Sequence, residues 1–441
     1  MKKMCIFAFA AFAAAFAARA ADVEFSIGCD RQDHLYSCGE TARFTVTAAS
    51  GECPVQSNRV VEVVLDNFGE RRIASGKWDV VATNVFEISG TLTEPGFLRL
   101  TLRRGGKTVK VWSAGFEPHK IRKGSPSPDD FDDFWARAQA KLAKEVPLDP
   151  QLVRICERST EKFDFYRVSF ATFGRRVYGY LSVPTDKTKA PFPVNVEVNA
   201  AGFGSWTNDM AGRDDAISLR MSVYPFEMDW KWQKNGTKAK YDELNAEMRK
   251  KYKVSAYSTA GISESREEYF FYPVVLGINR AVDWVVARPD VDRSRIRYQG
   301  TSQGGGFGFY LCALNRNFTR AAFFVPAITD TMGYLSGRQS GWPKIVESNS
   351  ASPKQRAAAE KWAPYFDGAN FASRITCPVR VVVGFADVTC APCAVYAAFN
   401  AISSSDKKID HGIGMGHGCR KEFYRKYGEW LTEPAGRRKC N

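Results

Sequence analysis

The sequence predicts an α/β fold, a mostly parallel sheet covered by helices on both faces, preceded by a small all-β sandwich-like domain. Three observations carry this reading. From residue 163 onward strand-like runs alternate with helix-like runs, a pattern that calls for crossover connections and therefore for parallel neighbours. Residues 22 to about 116 instead hold short segments of near period two, separated by turn-forming stretches such as Arg104-Gly-Gly-Lys107. Between them Lys123-Gly-Ser-Pro-Ser-Pro128 carries two prolines that disfavour helix and mark a linker over 117–128.

Taken in chain order, the first element is a targeting segment. Lys2 and Lys3 give a positive start, Met4 to Ala18 supply fifteen uncharged, mostly apolar residues, and Ala18-Arg-Ala20 closes the pattern. Crossing a hydrocarbon core of roughly 30 Å takes about 20 apolar residues. The shorter run fits a secretory h-region with cleavage after Ala20, so residues 1–20 read as a signal peptide and the mature chain as secreted or periplasmic. Cys5 heads the apolar run instead of following a lipobox, which argues against a membrane anchor. Losing Lys2, Lys3 and Arg19 lowers the formal charge from +14 to +11. The basic residues are scattered with no block of five, which describes a solvated surface, and an exported chain without a recognition motif is no nucleic-acid binder. Ten cysteines remain after Cys5 is removed. In an oxidising compartment some should pair, with a connectivity the sequence leaves open. With 44% hydrophobic and 25% charged residues over 441 positions, disordered and fibrous classes are excluded and two or three domains, or one large enzyme domain with an appendage, are expected.

In the region 21–116 strands are expected at 42–47, 60–65 and 96–102, with His34 as a surface or packing residue. After the linker, Asp129 or Asp130 can cap a helix whose apolar stripe is Phe131, Phe134, Trp135, Ala138 and Leu142. Strands at 163–170 and 176–183 are joined by Phe173-Gly-Arg175, too short for a crossover, and so should pair antiparallel. Then follow a strand at 193–199, a charged insertion at about 207–260, a helix at 272–287, a strand at 296–299, a helix at 304–314, strands at 321–325 and 379–383, and a closing helix at 420–431. The domain begun at 129 is expected to run to 441.

The chemistry concentrates in that second part. Gly300-Thr-Ser-Gln-Gly304 is a G-x-S-x-G motif, with a strand-like run before it and a helix-like run after it. That context suits a sharp strand-to-helix turn that exposes the Ser302 hydroxyl and turns the Gln303 N–H toward a bound substrate. An activated serine needs a base, and the chain has only His34, His119, His411 and His417. With the order serine, acid, histidine, the choice falls on His417, in Gly416-His-Gly418 before the last helix, over His411. The acid should stand on a loop after a buried strand, and Asp387 is the first carboxylate beyond the Val-rich run 379–383; Asp367 and Asp410 are weaker. A second oxyanion donor should come from Ala201-Gly-Phe-Gly204, with the Phe203 N–H as the choice. No H-E-x-x-H or clustered ligand spacing occurs, so neither metal nor cofactor is expected. Trp206, Tyr224, Trp230, Trp232 and Trp342 lie in loop-like segments where they could stack on sugar faces or simply pack. Arg338 would suit a carboxylate.

Pro128-Asp-Asp-Phe-Asp-Asp-Phe-Trp135, Gly300-Thr-Ser-Gln-Gly-Gly-Gly306, Tyr365-Phe-Asp-Gly-Ala-Asn-Phe-Ala372, Cys377-Pro-Val379, Gly384-Phe-Ala-Asp-Val-Thr-Cys-Ala-Pro392 and Gly416-His417 together resemble the acetylxylan esterase / cephalosporin-C deacetylase family, carbohydrate esterase family seven. The resemblance spans about 120–435. It implies an α/β-hydrolase fold, Ser302, Asp387 and His417 as a triad, Phe203 and Gln303 as amide donors, and an acetylated carbohydrate as partner. Ala201-Gly-Phe-Gly204 departs from the family's His-Gly-Tyr-Gly, the stretch 204–265 looks longer and more charged, and the N-terminal region is additional. The family's ring-shaped hexamers make a homo-oligomer the corresponding expectation. Cys419, two residues after the base, could bridge to Cys390 or Cys393 beyond the acid, or all three could be free thiols. The leading reading is an exported esterase that deacetylates carbohydrate hydroxyls. A uronoyl esterase or peptidase, and a non-catalytic glycan-binding protein, are the alternatives.

Overall fold

The computed structural model describes residues 23–49, 59–69, 71–202, 212–227 and 236–433. Its N-terminal part, residues 23–116, is all β. β1 (Phe25–Cys29), β3 (Thr41–Ala48) and β6 (Val85–Thr91) form one sheet; β2 (Leu35–Tyr36), β8 (Lys107–Phe116), β7 (Gly96–Arg104), β4 (Val60–Asp66) and β5 (Arg72–Asp79) form another. Every pairing is antiparallel except β2 with β8. The period-two reading holds residue by residue in β3, where Ala42, Phe44, Val46 and Ala48 are buried and their neighbours are not. These side chains meet Val61, Val63, Leu65, Leu98, Leu100 and Leu102 from the second sheet in one apolar cluster.

The rest is built on nine strands in the order β17-β16-β15-β14-β12-β13-β11-β10-β9. These are β9 (Gln151–Arg154), β10 (Phe163–Thr172), β11 (Arg175–Pro184), β12 (Phe192–Val198), β13 (Ile217–Met221), β14 (Val291–Thr301), β15 (Arg320–Phe324), β16 (Val379–Gly384) and β17 (Lys407–Gly412). From β17 to β13 all neighbours are parallel, and β13, β11, β10 and β9 pair antiparallel. The β10–β11 hairpin is the one expected from its short turn. β13 was not expected: it lies inside the stretch read as a charged insertion, yet it is an integral strand between β12 and β11. Five residues interrupted by Arg220 are too short for a periodic signal to stand out.

The helices are α1 (Phe131–Glu145), α2 (Gly236–Tyr252), α3 (Phe271–Val286), α4 (Gln303–Leu314), α5 (Pro353–Trp362), α6 (Gly368–Ala372), α7 (Pro392–Ala401) and α8 (Lys421–Thr432). The stripe on α1 is buried as expected. Asp130 does not cap it: its carboxylate instead accepts from Tyr365 and pairs with Arg266 at 3.0 Å. Strand alternation separates two cores. Val381 and Val383 face the large cluster shared with α3 and α4, whereas Val382 joins Phe324, Met415, Tyr427 and Leu431 under α8. Helices therefore cover both faces: α4 starts at the carboxyl end of β14, and α8 runs along β15 from Phe324 to Arg320.

Candidate active site

β14 ends at Thr301, α4 begins at Gln303, and Ser302 stands at the corner with φ 55° and ψ −118°. A non-glycine residue at such a φ is strained and must be held. Here the Ser302 N–H donates to Phe324 O at 2.9 Å, and its carbonyl accepts from Gly306 and Ala327, both at 2.9 Å. Gly304 is obligatory for close approach, because a Cβ there would lie 2.1 Å from Val198 O.

Ser302 Oγ lies 2.8 Å from His417 Nε2, and His417 Nδ1 lies 2.8 Å from Asp387 Oδ2. The three residues expected from spacing are thus brought into one hydrogen-bonded line from three separate loops. The Asp387 side chain is fully buried, and its Oδ1 accepts the N–H groups of Thr389 and Cys390 at 2.9 and 2.8 Å. His417 keeps a third of its side chain exposed, which leaves room for a reacting group. The acid and base loops touch at Gly384, where a Cβ would lie 2.6 Å from the carbonyls of Met415 and Gly416.

The competing residues are placed elsewhere. His411 sits against Phe385, with its Nε2 2.5 Å from the Tyr396 hydroxyl, and burial lowers its pKa. Asp367 is occupied by the N–H groups of Asp330, Thr331 and Ala369, and Asp410 pairs with Lys426. Arg338, read as a carboxylate ligand, directs its Nη2 to buried Asp330 at 3.0 Å and to Arg122 O at 2.8 Å. Trp342 is half-buried and packs on the large core, and Tyr224 is buried among Phe226, Tyr241 and Tyr257. Phe203, Trp206, Trp230 and Trp232 lie outside the described residues.

Gln303 is fully buried at the start of α4, and among the described residues its N–H has no acceptor, as the first turn of a helix leaves it. Its side chain bridges two layers: Oε1 accepts from the Tyr257 hydroxyl at 2.7 Å and Nε2 donates to Asn199 O at 3.3 Å. Asn199 Oδ1 in turn accepts from the Val223 N–H at 3.0 Å. Tyr257 and Asn199 went unread in the sequence, because 46 residues separate Tyr257 from Gln303 and no spacing marks the contact. Cys390, Cys393 and Cys419 are free thiols, and burial pushes Cys390 well above and Cys393 to about 12. Asp387, Cys390 and His417 bring potential ligand atoms within 4.8 Å of one another, but Asp387 and His417 already spend theirs on each other and on Ser302.

The cavity of about 490 Å³ bounded by Arg213, Arg220, Arg297 and Thr432 contains none of the three residues. Chemistry, not volume, locates the site. An imidazole between a serine hydroxyl and a buried carboxylate can take the hydroxyl proton and return it to a leaving group, the arrangement of acyl transfer.

Fold and site together define an α/β-hydrolase built for ester hydrolysis. The acetyl xylan esterase (AXE1) family model matches residues 117–433, and the chain belongs to that family. It is 27% identical over 385 residues to acetyl esterase Axe7A of Xylanibacter ruminicola, covering 86% of this chain and 83% of that one. Among solved structures, it resembles the acetyl xylan esterase from Paenibacillus sp. R4, with TM-score 0.59 and 22% identity over 71% of this chain and 98% of that one. Acetyl xylan esterase 1 from Thermoanaerobacterium sp. is similar, with TM-score 0.57 and 21% identity over 71% and 96%. The chain is a carboxylic ester hydrolase. Among the described residues no helix is long and apolar enough to cross a membrane.

Proposed function

We propose that this protein is an exported serine esterase that removes acetyl groups from carbohydrate hydroxyls, with residues 21–116 as an all-β domain ahead of a catalytic domain at 129–441. The observation that carries the proposal is the continuous Ser302–His417–Asp387 hydrogen-bond line in a chain of the acetyl xylan esterase family. In this reading Ser302 Oγ attacks the acetyl carbonyl as His417 Nε2 takes its proton. The Gln303 N–H and the Phe203 N–H receive the oxyanion. His417 then protonates the departing sugar oxygen, leaving an acetyl group on Ser302. A water molecule deprotonated by His417 cleaves that acyl-enzyme, and acetate leaves. Asp387 accepts from His417 Nδ1 and so holds the imidazole in the tautomer that presents Nε2 to Ser302.

The names of the similar proteins, acetyl xylan esterase and acetyl esterase, support an acetylated xylan or its oligosaccharides as substrate. The salt bridge between Arg338 Nη2 and Asp330, at 3.0 Å, supports the acetyl ester over the uronoyl ester that Arg338 favoured in the sequence. The test is acetate release by the mature chain from acetylated xylan and acetylated xylo-oligosaccharides, beside methyl esters of uronic acids. Release of acetate from the first two is expected. Hydrolysis confined to the methyl esters would overturn the proposal.

A further inference from the structure

The all-β half reaches the acid and base loops directly. On β8, the Ser113 hydroxyl donates to the carbonyl of Phe385, a buried bond two residues before Asp387. Its neighbour Trp112 lays its ring against Gly414, three residues before His417, so closely that a Cβ on Gly414 would stand 2.1 Å from the ring. From β7, Phe97 meets the Phe385 ring edge-on at 5.0 Å between centroids and Tyr396 at 5.7 Å. A fourth contact runs through Gln339, whose N–H donates to Phe68 O at 2.9 Å and whose side-chain amide donates to Val388 O at 2.8 Å, one residue beyond Asp387. The loops so gripped are bonded to each other: Phe385 N–H donates to Gly412 O at 3.0 Å, and Ala386 N–H to Met415 O at 2.9 Å.

We infer that Trp112 and Ser113 are positioning residues for the reaction, and that the all-β half acts as a brace fixing Asp387 and His417 on Ser302. The inference rests on the triad reading above. The physical reason is that the base loop leaves β17, an edge strand with β16 as its only strand neighbour among the described residues, while the acid loop leaves β16 beside it. Loops without regular pairing move unless other surfaces hold them. The Phe385 carbonyl is buried, so without Ser113 it would lose its donor and the loop would shift to find another. A shift of about 1 Å in the imidazole or carboxylate is enough to cost up to 10²-fold in rate.

The test compares Ser113→Ala, Ser113→Thr and Trp112→Phe with Val46→Ala, a core substitution in β3 that touches neither loop. For each, kcat and KM on p-nitrophenyl acetate, the rate of inactivation by a fluorophosphonate and the thermal midpoint are measured. Ser113→Ala should lower kcat about tenfold with KM within twofold. Inactivation should slow in parallel, and Ser113→Thr, which keeps the hydroxyl, should restore both. Trp112→Phe, which keeps an aromatic ring and carries the test should Ser113→Ala fail to fold, should show a smaller loss of the same kind. Val46→Ala should lower the thermal midpoint and leave kcat unchanged. Wild-type kcat in a folded Ser113→Ala or Trp112→Phe variant, or an equal kcat loss in Val46→Ala, would overturn the brace. Full-rate inactivation of Ser302→Ala would instead overturn the triad reading beneath it.

Discussion

Ser302 presents its hydroxyl to His417 from a φ of 55° that a side chain does not favour, and neighbouring residues hold it there. In the proposed mechanism it acts with His417 and Asp387 as a unit, so Ser302→Ala and His417→Ala should each lower kcat by roughly 10⁴ to 10⁶, with the double variant hardly worse. Loss in His411→Ala together with near-normal turnover in His417→Ala would show the base misassigned. The Gln303 side chain offers a second check at this scale. Tyr257→Phe leaves Gln303 Oε1 buried without its 2.7 Å donor, which should destabilise the fold by about 1–3 kcal/mol in urea denaturation. It should also lower kcat about tenfold if the bridge holds the Gln303 N–H in place. Ser302, Asp387 and His417 were legible because a nucleophile elbow, a Val-rich strand and a scarcity of histidines are local signals. Tyr257 and Asn199 were not, since their roles exist only once remote loops meet.

Among the elements, α2 shows why a charge-rich stretch resists the role of a fatty-acid lid. Its narrow stripe of Tyr241, Leu244, Met248 and Tyr252 packs on the large core, and its charged residues point outward. In the proposed function a helix so charged offers a fatty chain no apolar cover, so kcat/KM on p-nitrophenyl esters should fall from acetate to butyrate and be near background for octanoate. Overpacking a small acyl pocket costs about 1–3 kcal/mol, roughly 5- to 150-fold in rate. A profile rising toward octanoate would refute this. On β17, burial lowers the pKa of His411, so the folded state favours its neutral form. That contribution is present above the unfolded value near 6.5 and is lost as pH falls through it toward the folded value, because the unfolded chain then binds the extra proton. Urea midpoints should therefore drop between pH 7.5 and 5.5, and His411→Gln should reduce the drop. An unchanged drop would assign the acid sensitivity to other groups.

Across the whole molecule, the alternation that predicted a parallel sheet and the period-two runs that predicted an all-β half both reflect burial along single elements, which a sequence displays. β13 escaped notice because a five-residue strand beside β12 takes its identity from its partners. The contacts of Trp112, Ser113 and Phe97 with the acid and base loops escaped for the same reason, as they join surfaces some 270 residues apart. The central claim is that ester hydrolysis passes through Ser302. It is tested most directly by treating the mature enzyme with a fluorophosphonate and mapping the adduct by peptide mass while acetate release from acetylated xylo-oligosaccharides is followed. One adduct per chain on the Ser302 peptide, with deacetylation lost in proportion, is the result expected. An adduct elsewhere, or deacetylation that persists in fully labelled enzyme, would contradict it.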